Sequence, residues 1–120
     1  WTLVESRRNK TLFLRRVVQD LGIANVEVLT GRLEVLVEAE AEALACDGFT
    51  SRATMTLGPT LALAARIVRT DGRAFLWKGS SWRTESEAGT DGDPVVEPWR
   101  VREVITLGEG PNVVVECVKQ

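Results

Sequence analysis

Apolar and polar positions fall into blocks along this chain, and the period changes from block to block. Thr2-Leu3-Val4 is a short apolar run that ends at Glu5 and predicts a strand, with Ser6 placed to cap a following helix. From Arg7 to Leu21 the period becomes helical. At ~100° per residue, Phe13, Leu14, Val17, Val18 and Leu21 share one stripe, with Arg8, Arg15 and Gln19 on the other side. Lys10 falls on the inward stripe in the first turn, and Gly22 stops the helix. The segment from Asn25 to Thr30 carries Val26, Val28 and Leu29 and predicts a second strand, ending at Gly31-Arg32. The acidic, alanine-rich stretch from Glu38 to Ala45 has high helix propensity and little to bury, which predicts a short exposed helix.

The second half repeats the alternation. A third strand is expected over Asp47 to Ser51 around Phe49. Gly58-Pro59 then suits a helix entry, and Leu57, Leu61, Ala64, Ala65 and Val68 recur at helical spacing until Asp71-Gly72 ends the run. Ala74-Phe75-Leu76-Trp77 reads as a continuous apolar strand covered on both faces. Residues 80–98 are polar and rich in Gly, Asp, Glu and Ser, so a loop is expected there. Two β-rich segments, Val101 to Leu107 and Val113 to Val118, flank a five-residue connection suited to an antiparallel hairpin. The fold class is therefore α/β: a mostly parallel sheet closed by a C-terminal antiparallel hairpin. In such sheets ligands bind beyond the carboxyl ends of the strands. Here that rim comprises Glu5-Ser6, Arg32 to Glu34, Ser51 to Thr54 and Lys78-Gly79.

Composition narrows the chemistry. With 120 residues, 44% hydrophobic and 27% charged, the chain is expected to be one soluble domain, or a large piece of one. No apolar run approaches the ~18 residues that span a membrane. Cys46 and Cys117 lie far apart and the chain has no histidine, which argues against a zinc site, a redox pair or a Cys-His nucleophile and favours a reducing cytoplasm. Glu38, Glu40 and Glu42 recur every second residue, cannot share a helix face, and read as solubility charges, so no metal is expected. A net charge of −2 means any nucleic-acid site must be local. Without histidine, a reaction needing little proton transfer gains weight.

The rim residues also carry a family resemblance. Leu3-Val4-Glu5-Ser6 with Lys10 and Phe13-Leu14-Arg15, then Gly31-Arg32-Leu33-Glu34, then Asp47-Gly48 with Ser51-Arg52-Ala53, and finally Lys78-Gly79 occur in order over about two-thirds of the chain. Together they resemble the bacterial methyltransferases that make 7-methylguanosine in 16S ribosomal RNA, also called the glucose-inhibited division protein B family. The resemblance implies a Rossmann-like class I fold, S-adenosylmethionine as cofactor, and 16S ribosomal RNA or the small ribosomal subunit as partner. It implies that Glu5, with Ser6, meets the ribose hydroxyls of the cofactor and that Arg32, Leu33 and Glu34 flank its adenine. Leu33 departs from the small residue usual in the family. Lys10, Ser51, Arg52, Ala53 and Lys78 are implied to face the RNA or its target guanine.

The family's first strand and glycine-rich loop have no counterpart here, and the chain opens on Trp1. The chain is therefore expected to be an N-terminally truncated methyltransferase domain, inactive by itself. Upstream sequence, a second chain or self-association would then complete the sheet. The basic cluster Arg7, Arg8, Lys10, Arg15 and Arg16 reads either as a phosphate grip or as a solvated helix face. Trp77 reads as a partly buried end of its strand or as a base-stacking platform. Two other functions stay open: a non-catalytic remnant of the fold, and a nicotinamide-dependent dehydrogenase in which Glu5 serves the dinucleotide ribose.

Overall fold

Strand β1 (Thr2–Glu5) runs parallel to β2 (Glu27–Thr30), in register from Thr2↔Glu27 to Glu5↔Thr30, and helix α1 (Arg8–Asp20) makes the crossover. This computed structural model describes residues 1–52, 55–84 and 97–120. They form two compact units, Trp1–Leu44 and Ala45–Gln120.

In the first unit the helix boundaries differ from expectation. Arg7, not Ser6, is the residue before α1, and it makes no side-chain cap. The Arg7 N–H is instead held by the carboxylate of Glu5 at 2.8 Å. At the other end Gly22 takes φ +60°, its N–H reaches the Gln19 carbonyl and the Ile23 N–H reaches that of Val18, the paired bonds of a Schellman stop. The inward line of α1 passes through Thr11, fully buried, with Leu14, Val17 and Val18 half-buried. Phe13 and Leu21, expected in the apolar stripe, are 66% and 70% exposed, and Lys10, also expected inward, is exposed. Arg15, expected on the outer face, reaches β2. The physical reason is that the contact between helix and strand is centred on a pair of threonine hydroxyls, which an apolar periodicity cannot register.

The acidic helix also begins earlier than expected. Helix α2 spans Leu33–Glu40, buries Val37 completely, and passes into a 3₁₀ turn at Ala41–Leu44. Leu33, Val35, Leu36 and Val37 are its apolar content; the alanine-rich tail to which propensity pointed is only its end.

The second unit is a four-stranded sheet in the order β3-β4-β6-β5, from β3 (Cys46–Arg52), β4 (Val68–Lys78), β5 (Trp99–Thr106) and β6 (Val113–Lys119). Strands β3 and β4 are parallel; β6 is antiparallel to both β4 and β5, as the closing hairpin predicts. Helix α3 (Leu57–Ile67) joins β3 to β4 and buries Leu57, Leu61 and Ala64. It covers the face carrying Ala74, Leu76, Val115 and Cys117, all fully buried. Trp99 donates from Nε1 to the Leu61 carbonyl at 2.8 Å, and Lys119 Nζ donates to the carbonyls of Ala65 and Val68 at 2.6 Å, so a strand-borne cation closes the carbonyl end of the helix. Each buried leucine here stabilises by about 1.5–3 kcal/mol relative to exposure.

Val68 belongs to β4 rather than to α3, which makes that strand longer than the apolar run alone suggests. Between Cys46↔Val68 and Gly48↔Arg73 the register slips, and the extra β4 residues turn at Asp71, with φ +62°. Arg69 and Asp47 form an ion pair across this bulge. On the sheet face away from α3, Glu116 is 4% exposed and shared by Arg102 at 2.9 Å and Arg73 at 3.2 Å.

Candidate functional site

Parallel pairing determines which residues gather. In the first unit the carboxyl ends of β1 and β2 lie side by side, because Glu5 pairs with Thr30 and the Gly31 N–H donates to the Glu5 carbonyl at 3.0 Å. Glu5, Ser6 and the Arg32–Glu34 segment therefore share one rim. The Glu5 carboxylate receives the Arg7 N–H, and the Ser6 hydroxyl stands 3.5 Å from the same oxygen. The Arg7 N–H first, then Lys10 and Ser6, outweigh partial desolvation and hold the Glu5 carboxyl below its ordinary value of 4.5. An ionised carboxylate offers about four acceptor sites, more than these donors fill, so the group is suited to accept hydroxyl hydrogens from a ligand.

Arg32 precedes the first turn of α2, its carbonyl accepting the N–H groups of Val35 and Leu36. Its guanidinium lies 3.7 Å from Glu34, with both side chains largely in water, an ion pair worth at most ~1 kcal/mol. Leu33 and Glu34 are half-buried in that turn. Lys10 acts on Glu5 through its charge, without a direct bond to it.

In the second unit β3 and β4 end together, with Ser51 opposite Leu76 and Arg52 opposite Trp77. Ser51 is half-buried and Arg52 exposed. Lys78 donates to the Met55 carbonyl at 2.7 Å and so ties the chain after β3 to the end of β4. That bond carries no sequence signal, since its acceptor is backbone. Ala53 and Thr54, part of the expected rim, lie outside the described residues. Trp77 is 43% exposed on the face away from α3, beside Arg52, while its neighbour Leu76 is fully buried. Among the described residues no cluster of three or more Cys, Asp or Glu groups could hold a metal ion, and no helix is long and apolar enough to cross a membrane.

The carboxyl ends of β1 and β2 thus carry Glu5, Ser6 and the Arg32–Glu34 segment, and those of β3 and β4 carry Ser51, Arg52 and Lys78, whereas Lys10 lies in α1. The profile of the family described as rRNA small subunit methyltransferase G, GidB, matches residues 1–110. The chain belongs to this family. Curated relatives of that name include the protein of Pseudothermotoga lettingae, 38% identical over 87 residues that make up 72% of this chain and 38% of the relative. The Paracoccus denitrificans relative is 33% identical over 91 residues, 75% of this chain and 45% of its own length. This GidB-family chain therefore matches less than half the length of each of these relatives.

Solved structures agree on the fold. An rRNA methylase from Streptococcus thermophilus matches with a TM-score of 0.66 at 16% identity, over 98% of this chain and 72% of that one. MtNAS in complex with S-adenosylmethionine matches with a TM-score of 0.67 at 22% identity, over 98% of this chain and 44% of that one. The architecture is Rossmann-like α/β, with parallel β1-β2 and β3-β4 pairs and a C-terminal antiparallel hairpin.

Proposed function

We propose that this chain is part of an S-adenosylmethionine-dependent methyltransferase that forms 7-methylguanosine in 16S ribosomal RNA, and that it is incomplete as a catalyst on its own. The observation that carries this reading is an ionised glutamate, Glu5, at the carboxyl end of a parallel strand in a chain of the GidB family. Glu5 and Ser6 would hold the ribose of the cofactor, and Arg32, Leu33 and Glu34 its adenine. Leu33, bulkier than the family's usual residue, sits half-buried at the start of α2. Lys10, Ser51, Arg52, Ala53 and Lys78 would meet the RNA.

The cofactor supplies an electrophilic methyl group on sulfur. The guanine nitrogen that receives it has a lone pair and carries no proton, so no general base is needed and a histidine-free chain is adequate. The protein's own task is to hold two reactants close and in line, an effect worth up to ~7–11 kcal/mol of the barrier. A ribosomal RNA substrate implies the cytoplasm as the working compartment.

The outer edges of β1 and β3 carry no neighbouring strand among the described residues. We take the chain as part of one methyltransferase domain, completed by upstream sequence, a second chain or self-association. Calorimetric titration of S-adenosylhomocysteine and of NAD into this chain, and into a form extended upstream, tests the reading. Binding of S-adenosylhomocysteine by the extended form alone is the expected result. Silence from both forms would leave a non-catalytic remnant of the fold, and binding of NAD alone would indicate a dehydrogenase.

A further inference from the structure

The polar groups of β2 alternate between its two edges. Glu27 and Gly31 donate their N–H groups to the carbonyls of Trp1 and Glu5 on β1, so Val28 and Thr30 direct theirs to the opposite, outer edge. An outer edge normally invites another strand. Here it meets a side chain from α1. Arg15 Nη2 donates to the Val28 carbonyl at 3.0 Å and lies 3.4 Å from Thr30 Oγ1. The Thr30 hydroxyl donates in turn to Thr11 Oγ1 at 3.0 Å, and the Thr11 hydroxyl donates to the Arg8 carbonyl at 2.8 Å.

The result is a one-directional series of donors from Arg15 through Thr30 and Thr11 to the first turn of α1. Each bond in such a series polarises the next, and Thr11 is fully buried, so leaving it unpaired would be costly. Thr30, the middle member of the series, lies one residue before Gly31, whose N–H is bonded to Glu5, and two before Arg32, which precedes α2.

We infer that Arg15, acting through Thr30, is a positioning residue: it holds the carboxyl end of β2 against β1 so that the Gly31–Arg32 turn stays in place beside Glu5. The inference deepens the adenosyl reading of this rim, on which its ligand arm rests. It also assigns Arg15 a duty other than gripping RNA.

The test compares Arg15→Met, Thr30→Val and Thr30→Ser with the unsubstituted protein in the form extended upstream. Arg15→Met and Thr30→Val should each lower amide-exchange protection at Gly31 about tenfold, the factor expected for one lost hydrogen bond, and weaken S-adenosylhomocysteine binding by a similar factor. Thr30→Ser, which keeps the hydroxyl, should restore both, and the double variant should be no worse than the worse single one. Protection lost evenly through β4 and β6 as well would mark a merely structural role and overturn the inference, as would unchanged protection at Gly31. The exchange arm needs no ligand. Failure of the unsubstituted protein to bind S-adenosylhomocysteine would therefore count against the functional reading, while Gly31 protection still decides the role of Arg15.

Discussion

Glu5 and Cys117 show how immediate surroundings, a backbone donor for one and burial for the other, set the behaviour of a single side chain. The Arg7 N–H favours the charged form of Glu5, so its folded pKa lies below the ordinary 4.5. The sign follows: this contribution to stability is fully present above the ordinary value and is lost as the pH falls through the lower folded value. Carboxyl NMR should place the Glu5 midpoint below 4.5, with the Arg7 amide shift titrating alongside it; a midpoint at or above that value would mean that the Arg7 N–H does not hold the carboxylate. Cys117 behaves in the opposite sense. Burial, then the charge of Glu116, pushes its thiol up from 9.0 to about 12. Its contribution is fully present below 9.0 and disappears as the pH rises toward about 12. Mass spectrometry after alkylation at pH 8 should find Cys117 unmodified in the folded protein and modified in denaturant. The position of Glu5 at a strand end was legible in the sequence. Its depressed pKa was not, because the donor responsible is a backbone N–H whose direction depends on where α1 begins.

At the scale of elements, the join between α3 and β4 depends on one glycine. A Cβ on Gly72 would run into Val68 Cγ1 and would stand 2.8 Å from the Arg69 carbonyl oxygen and 2.9 Å from that of Asp47. Two of these three atoms are backbone and cannot swing away. Gly72→Ala should therefore destabilise the protein by about 1–3 kcal/mol, as overpacking does, seen as a lower urea midpoint with an unchanged slope. An unaltered midpoint would mean that the bulge relaxes freely. Asp71-Gly72 was legible as the end of the helical run, whereas the structure puts it inside β4. Helical spacing carried Val68 into α3, whereas its pairing with Cys46, 22 residues earlier, draws it into β4. Helix α1 makes the same point: apolar spacing names Phe13 and Leu21 as inward, yet the hydroxyl pair of Thr11 and Thr30 turns a different face to β2.

For the whole molecule, the two parallel pairs place every described rim residue at a strand's carboxyl end, which is where an α/β sheet binds ligands. The titration of S-adenosylhomocysteine reads the proposed function at this level, and among the described residues the outer edges of β1 and β3 carry no neighbouring strand.

By itself the sequence determined the alternation of strands and helices, the closing hairpin, and the strand ends that carry Glu5, Arg32, Ser51, Arg52 and Lys78. These follow from local periodicity and from turn residues close to each boundary. Only the tertiary structure decided which face of α1 turns inward, that α2 begins at Leu33, that Val68 belongs to a strand, and that Arg15 guards an edge while Lys78 braces a turn. All but the start of α2 rest on a hydrogen bond or strand pairing between residues well separated along the chain. Several of the acceptors are backbone carbonyls, which every residue has and no sequence pattern marks.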